Sequence, residues 1–315
     1  MLRKAAAHLL IWALFAAAGL AGVDRWYGSV PANEIDLRVA DMEAAAAQTE
    51  VLVLGDSRME FGVNPRFVAP HTFNAAGASQ DVHYDAQYVK RFLPEMPKLR
   101  TVVWGLTTRT FGYDVASMGG EARLCRLYDR YFERRTEDRV ATAVNQQWSL
   151  LRGRGADPIH AFVSILEARY DSPFRQQSPY GDGFVYHPNI PEDITDGPKR
   201  VALHESTFDP RVVEPNFAIL VETTRKLHER GIRVIFVKPP VAPTYHPSPG
   251  TNALFERYQA KLIQETHADY VDMSDRVATG QELFRNSDHL QGEGIEQFSR
   301  MLGEIVNGAG ALPAP

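Results

Sequence analysis

The sequence predicts an α/β fold built on an open parallel sheet. Short runs that are apolar on both faces recur along the chain, as at Val51–Leu54, Thr101–Leu106 and Ile232–Val237. Helical stretches alternate with them. The last, 295–306, carries Ile295, Phe298, Met301, Leu302 and Ile305 on one face. Strands buried on both faces belong to a sheet covered by helices on either side, joined by right-handed crossovers.

The first segment is set apart from this pattern. Arg3 and Lys4 precede Ala5–Val23, nineteen residues in which His8 is the clearly polar side chain, and Asp24-Arg25-Trp26-Tyr27 follows. A helix of that length rises about 28 Å, close to the hydrocarbon thickness of a bilayer. Basic residues before it favour a cytoplasmic N-terminus, and Trp26-Tyr27 suits the opposite interface. Residues 1–27 therefore read as a cytoplasmic tip and membrane anchor. Gly19-Leu20-Ala21 leaves a cleaved signal peptide as the alternative. Both readings export the rest of the chain. The first gives a single-pass inner-membrane protein with a periplasmic domain, the second a secreted or periplasmic one.

Residues 28–49 read as a stalk, with a helix over Glu34–Gln48, and 50–306 as the main domain. Val51–Leu54 is its first strand. Thr72-Phe73-Asn74 is a weaker second, Asp81–Leu93 a helix with aromatics at spacings of four, and Thr101–Leu106 the third strand. The pattern then breaks over about 113–210, which reads as a helical and loop insertion. It holds helical segments at Glu121–Arg135 and Thr142–Leu151 and a Pro/Gly/Tyr-rich stretch at 172–198. Its aromatics Tyr128, Tyr131, Phe132, Trp148, Tyr180 and Tyr186 either form a local core or stack on sugars. Order returns with a helix over Pro215–Arg230, a strand over Ile232–Val237, a helix over Thr251–Glu265, a short strand over Tyr270–Met273 and the closing helix. Residues 307–315 read as a disordered tail.

Composition narrows the function. The 315 residues are 44% hydrophobic and carry a net charge of −5, with no basic stripe, which argues against nucleic acid as a partner. One cysteine, Cys125, excludes an intrachain disulfide and a cysteine metal cage. His187, His204, His228, His246 and His267 show no zinc-type spacing and read as surface or loop residues. No metal and no cofactor is expected.

The chemistry-bearing residues stand at the ends of these elements. Gly55-Asp56-Ser57-Arg58 follows directly on the first strand, and Asp288-His289-Leu290 stands just before the closing helix. A serine and a histidine far apart in sequence make a nucleophile and base if the fold brings them together. In an open parallel sheet, sites lie at the carboxyl ends of the strands. That edge holds Ser57, Gly77, Thr107 and the loop around His289.

Gly55-Asp56-Ser57, Phe73-Asn74-Ala75-Ala76-Gly77 and Asp288-His289-Leu290 with Gly292 and Gly294 resemble three motif blocks of the SGNH (GDSL) hydrolase superfamily. The likeness spans roughly 49–110 and 213–306 and leaves the insertion unmatched. It implies a flavodoxin-like three-layer fold, Ser57 as nucleophile, His289 as base, and the backbone N–H groups of Ser57 and Gly77 as oxyanion donors. Two departures stand out. The position three before the histidine, where the superfamily often has its acid, is Asn286, so the third member is Asn286 or the adjacent Asp288. The third block reads Gly105-Leu106-Thr107-Thr108-Arg109 and lacks its asparagine, leaving Thr107 and Arg109, with Arg58, as candidate substrate-binding residues.

Within the superfamily the chain is most similar to membrane-anchored, extracytoplasmic proteins of polysaccharide O-acetylation and cell-wall acylation. The N-terminal segment, the stalk, the GDSR start and Lys238-Pro239-Pro240 carry that likeness. It implies acyl transfer or ester hydrolysis on a cell-surface or secreted polysaccharide, beside a polytopic membrane O-acyltransferase. The departures leave a second reading: a catalytically inactive glycan-binding or scaffold subunit of such a complex. A free lipase fits less well, since the insertion offers no clear apolar lid helix.

Overall fold

Four consecutive aliphatic residues, Val51–Leu54, have no polar face to give to water, and all four are fully buried as strand β1. A computed structural model describes residues 33–117, 122–133, 180–185, 193–277, 280 and 282–308, together with scattered residues between 8 and 22. β1 pairs in parallel with β2 (Thr72–Asn74) on one side and β3 (Thr101–Gly105) on the other. β4 (Arg233–Lys238) and β5 (Asp269–Asp272) extend the sheet, all strands parallel, in the order β2-β1-β3-β4-β5. This is the flavodoxin-like order, whose switch point falls between β1 and β3.

Alternation along the strands divides the core. Val51, Val53, Val103, Ile235 and Val237 pack in one cluster with Phe298 and Leu302 of the closing helix α8 (Gly292–Val306). Leu52, Leu54, Val102, Trp104 and Phe236 are the intervening residues and are equally buried. Two helices that pack on each other, α3 (Val82–Phe92) and α6 (Val213–Glu229), bury Tyr84, Tyr88, Phe92, Leu220 and Leu227. Burying one such large side chain is worth about 1.5–3 kcal/mol.

The chain divides into two compact units, one of residues 1–37 with 136–176, the other of 38–135 with 177–315. In the first unit, the described residues between 8 and 22 are helical, and Ile11, Trp12, Leu14 and Phe15 are exposed. Among the described residues no helix is long and apolar enough to cross a membrane. Much of Ala5–Val23, all of 142–151, Trp148, Tyr186 and the end of the tail lie outside the described residues.

The stretch read as a stalk is a packed helix from Arg38 onward. Helix α1 (Glu34–Ala45) runs into a short 3₁₀ turn at Ala46–Gln48, and from Arg38 it belongs to the second unit. Val39 and Met42 are buried there, and Arg38 forms a buried ion pair with Glu60. A stalk would show them to solvent. Small alanines in such a helix permit close packing as readily as exposure.

Part of the expected insertion also joins the main unit. Helix α4 (Ala122–Tyr128) stacks Tyr128 on Tyr84 at 4.3 Å and brings Phe132 to 4.6 Å from Tyr88. These two aromatics are core, while Tyr180 is exposed under Arg66, whose guanidinium lies 4.1 Å from the ring centre.

Candidate active site

The nucleophile side is built locally. After β1 the chain turns at Gly55, whose φ of +134° suits glycine alone. Asp56 then caps helix α2 (Ser57–Gly62), its Oδ1 accepting from the Arg58 N–H at 3.0 Å. Ser57 is thus the first residue of the helix, where the N–H has no intrahelical acceptor. Met59 presses back onto the sheet. A Cβ on Gly105 would fall 2.3 Å from Met59 Cγ, so β3 must end in glycine for this helix to seat. The turn is held from behind by Asp85 of α3, which accepts from the Gly55 N–H (3.0 Å), Gln80 Nε2 (2.6 Å) and Trp104 Nε1 (2.8 Å).

The base side is built from distant pieces. Strands β6 (Phe284–Asn286) and β7 (His289–Leu290) form an antiparallel hairpin whose turn is Ser287-Asp288. Asn286 and His289 are cross-strand partners, which places their side chains together. β7 packs on α2, with Phe61 edge-on to the His289 ring at 5.0 Å. Ser57 and Phe61, four residues apart, share the helix face that meets the imidazole.

The two sides meet: Ser57 Oγ lies 2.8 Å from His289 Nε2. On the far side of the ring, Nδ1 is 3.0 Å from Asn286 Oδ1, 3.0 Å from Arg200 Nη2 and 3.4 Å from Asp288 Oδ1. Asn286 Oδ1 also accepts from the Asp288 N–H at 3.3 Å, which fixes the orientation of the amide. Both candidates for the third member therefore reach the histidine, the asparagine more closely.

Arg200 and His204 come from α5 (Gly197–Ser206), a helix within the stretch read as insertion. Arg200 Nε donates to Asp288 Oδ1 at 2.8 Å, and its Nη2 lies 2.7 Å from the same oxygen. Arg58 Nε and His204 Nε2 each lie 3.6 Å from Asp288 Oδ2. His204 is buried, with Nδ1 2.7 Å from the Tyr245 hydroxyl, and so is not the surface residue its spacing suggested. Arg58, expected to face substrate, is only 5% exposed, lies over the Tyr245 ring at 4.6 Å and is spent on Asp288.

These charges set the protonation states. Burial pushes the His289 imidazole down to about 4; Asp288 opposes this, and Arg200 and Arg58 add to it. His289 is thus a neutral base at ordinary pH. Burial alone would raise the Asp288 carboxyl, yet His289, Arg58 and Arg200 together hold it below the usual carboxylate range. Burial, with Arg58 and Arg109, takes His204 down to about 2.

The remaining expected residues lie elsewhere or are engaged. The Gly77 N–H donates to the Gly55 carbonyl at 3.1 Å, so it is not free to receive an oxyanion in this conformation. Thr107 Oγ1 donates to Asp56 Oδ2 at 3.2 Å and its N–H to Thr110 Oγ1 at 2.8 Å, so it braces the helix cap. Arg109 lies over the Tyr113 ring at 3.9 Å and, with His204 and Phe208, lines a small separate cavity. Arg200, Tyr245 and the buried position of His204 are not legible in the sequence, since they belong to no motif block and to stretches without clear periodicity.

A cavity of about 330 Å³ opens beside Arg58, lined by Thr108, Lys238, Pro239, Tyr245, His246 and Asn252. A larger one, about 610 Å³, lies at the amino ends of β1 and β2 between Gln48, Arg66, His71 and Arg300. It holds none of the residues around Ser57, so size does not locate this site.

The sheet order and the Ser57–His289 pair agree with the SGNH resemblance of the motifs. No family model and no curated protein matches the chain. Among solved structures, a protein from Bacteroides fragilis named as an acylhydrolase is similar at 12% identity and a TM-score of 0.42, over 87% of this chain and 97% of that one. A protein from Desulfitobacterium hafniense named as a lipolytic protein of the G-D-S-L family is similar at 11% identity and a TM-score of 0.36, over 83% and 99%. A protein named as a platelet activating factor, from Streptococcus pneumoniae, is similar at 8% identity and a TM-score of 0.38, over 94% and 99%. Likeness at these levels says nothing of substrate or reaction.

Proposed function

We propose that this chain is a serine esterase or O-acyltransferase of SGNH type, acting outside the cytoplasm on an acylated polysaccharide. The observation that carries the chemistry is the 2.8 Å approach of Ser57 Oγ to the neutral His289 Nε2. His289 takes the Ser57 proton as Oγ attacks the ester carbonyl. In this reading the Ser57 N–H, which has no intrahelical acceptor, stabilises the developing oxyanion. Collapse expels the alcohol, which receives its proton from His289, and leaves an acyl-serine. Water or a sugar hydroxyl, deprotonated by the same imidazole, then resolves it to an acid or a new ester.

The polysaccharide, the location and a polytopic O-acyltransferase partner rest on the family resemblance and on the apolar N-terminal segment, whose Trp12, Leu14 and Phe15 are exposed. The cavity beside Arg58, lined by Pro239, Pro243, His246 and Asn252, has apolar and hydrogen-bonding groups that suit a sugar ring.

A second reading, an inactive glycan-binding or scaffold subunit, draws support from the engaged Gly77 N–H and from an Asp288 committed to arginines. The test is covalent labelling by a fluorophosphonate, together with acetate release from an O-acetylated polysaccharide, in wild type and Ser57→Ala. Labelling and release confined to the wild type support the enzyme. Absence of both, with unchanged polysaccharide acetylation in a Ser57→Ala strain, supports the scaffold.

A further inference from the structure

Asn286 Oδ1 and Arg200 Nη2 converge on the same atom, each 3.0 Å from His289 Nδ1. An amide oxygen accepts and a guanidinium donates, so Nδ1 can satisfy only one of them at a time. Bonded to Asn286, Nδ1 carries the proton and Nε2 turns its lone pair to Ser57, the tautomer that accepts the serine's proton. Bonded to Arg200, Nδ1 is the acceptor, the proton sits on Nε2 and points at Ser57 Oγ, and the ring cannot act as base.

Arg200 also occupies the nearest carboxylate. Its Nε and Nη2 hold Asp288 Oδ1 at 2.8 and 2.7 Å, the same oxygen that lies 3.4 Å from Nδ1. The Asp288 side chain is 2% exposed and that of Arg200 is 24% exposed, so the arginine is open to solvent and the acid is not. Should Arg200 turn away, Asp288 keeps Arg58 Nε at 3.6 Å and is not left a bare buried charge. The site therefore contains a cation at its rim that competes with Asn286 for Nδ1 and disfavours the basic tautomer.

We propose that Arg200 is the receptor for a carboxylate of the substrate. Its engagement there releases Nδ1 to Asn286 and Asp288 and sets His289 in its basic tautomer. This inference rests on the Ser57–His289 reading and narrows it to esters that carry a carboxylate, on the sugar or on the acyl group. A guanidinium fork matches a carboxylate in two parallel hydrogen bonds, which offsets the loss of Asp288 as partner.

The experiment compares kcat/KM for O-acetylated methyl glucuronoside and O-acetylated methyl glucoside, and for 4-nitrophenyl hemiglutarate and 4-nitrophenyl acetate. The proteins are wild type, Arg200→Lys and Arg200→Gln. A charge-assisted hydrogen bond predicts a preference of about tenfold or more for the carboxylate-bearing member of one pair, and the pair that shows it locates the carboxylate. Arg200→Gln is expected to abolish the preference by raising kcat on the neutral ester, with Arg200→Lys between. A merely structural arginine would lower both members together. That outcome, or no preference in wild type, overturns the proposal.

A second readout needs no turnover. In full-length protein with ¹⁵N-labelled histidine and Ser57→Ala, His289 Nδ1 is expected unprotonated at rest and protonated on adding glucuronate. Nδ1 protonated from the start overturns the proposal. If no ester is cleaved and Ser57 is not labelled, the enzymatic reading fails, while the nitrogen shifts still decide the role of Arg200.

Discussion

Asp85 and Asp288 lie on opposite flanks of the Ser57–His289 pair, each only 2–3% exposed, and they are stabilised by opposite means. Asp85, behind the nucleophile turn, is held by the neutral dipoles of Gly55, Gln80 and Trp104. Burial outweighs them and pushes its carboxyl up to about 7. Asp288, behind the base, meets guanidiniums and imidazoles and is driven down instead. Fixed dipoles hold a loop in shape without fixing its charge, whereas paired charges fix both. The nucleophile flank is thus a rigid cradle, and the base flank a charged cluster whose members can be redistributed.

The sharpest separation of the flanks is kinetic. His289→Ala is expected to lower kcat/KM on 4-nitrophenyl acetate by roughly 10⁴-fold or more, since the serine loses its base. In wild type, the acid limb of kcat/KM should sit near the imidazole value of about 4 and the profile should be flat above it. Asn286→Asp places a second carboxylate 3 Å from Nδ1, so it should raise the imidazole pKa and move that limb upward by about one unit or more. An unmoved limb would mean that the base flank does not control the titration.

Next in size is the cost of unpairing. Asp288→Asn leaves Arg58, buried under Tyr245, without its carboxylate, and should cost about 3–5 kcal/mol in urea unfolding. Asp85→Asn presents an NH₂ to groups that themselves donate, and should cost about 1–3 kcal/mol. Their pH dependences should run in opposite directions. The folded-state value of Asp85 lies above its unfolded value of 3.8, so its contribution is full below pH 3.8 and lost as pH rises toward 7. The folded-state value of Asp288 lies below, so its contribution is present above the unfolded value and lost as pH falls through the acid range. Asp85→Asn should therefore flatten the decline in stability between pH 4 and 7. Equal costs and parallel slopes for the two variants would erase the contrast between the flanks.

The same contrast governs what could be read from the sequence. The nucleophile flank is assembled from one stretch, 51–107, where fully apolar strands and a GDS turn announce themselves, and both strands and turn stand where expected. Even there, α2 went unread, because six residues are too few to show a helical period. The base flank joins 196–204, 242–245 and 284–290. Its hairpin has strands of three and two residues, and Arg200 and His204 lie on a ten-residue helix opened by Gly197-Pro198, within the stretch read as a helical and loop insertion. Asn286 and Asp288 were both flagged by position, yet choosing between them needed Arg200, which no local pattern announces. The helix expected over 34–48 is present, but its packing is not legible, because alanine is compatible with solvent and with tight packing alike.

The smallest effect tests how firmly the nucleophile cradle is braced from β3. Thr107 Oγ1 donates to Asp56 Oδ2 at 3.2 Å while Asp56 Oδ1 caps the helix that begins at Ser57. Thr107→Val preserves shape and removes the donor. Asp56 keeps its backbone partner, so the loss is that of one hydrogen bond, about 0.5–1.5 kcal/mol. A cradle held mainly by dipoles should show this as lower stability with the pH profile of kcat/KM unchanged, because Thr107 bears no charge and Asp56 remains capped. A shift of the acid limb in Thr107→Val would show instead that Asp56 is free to move toward His289, and that the two flanks share their electrostatics across the serine.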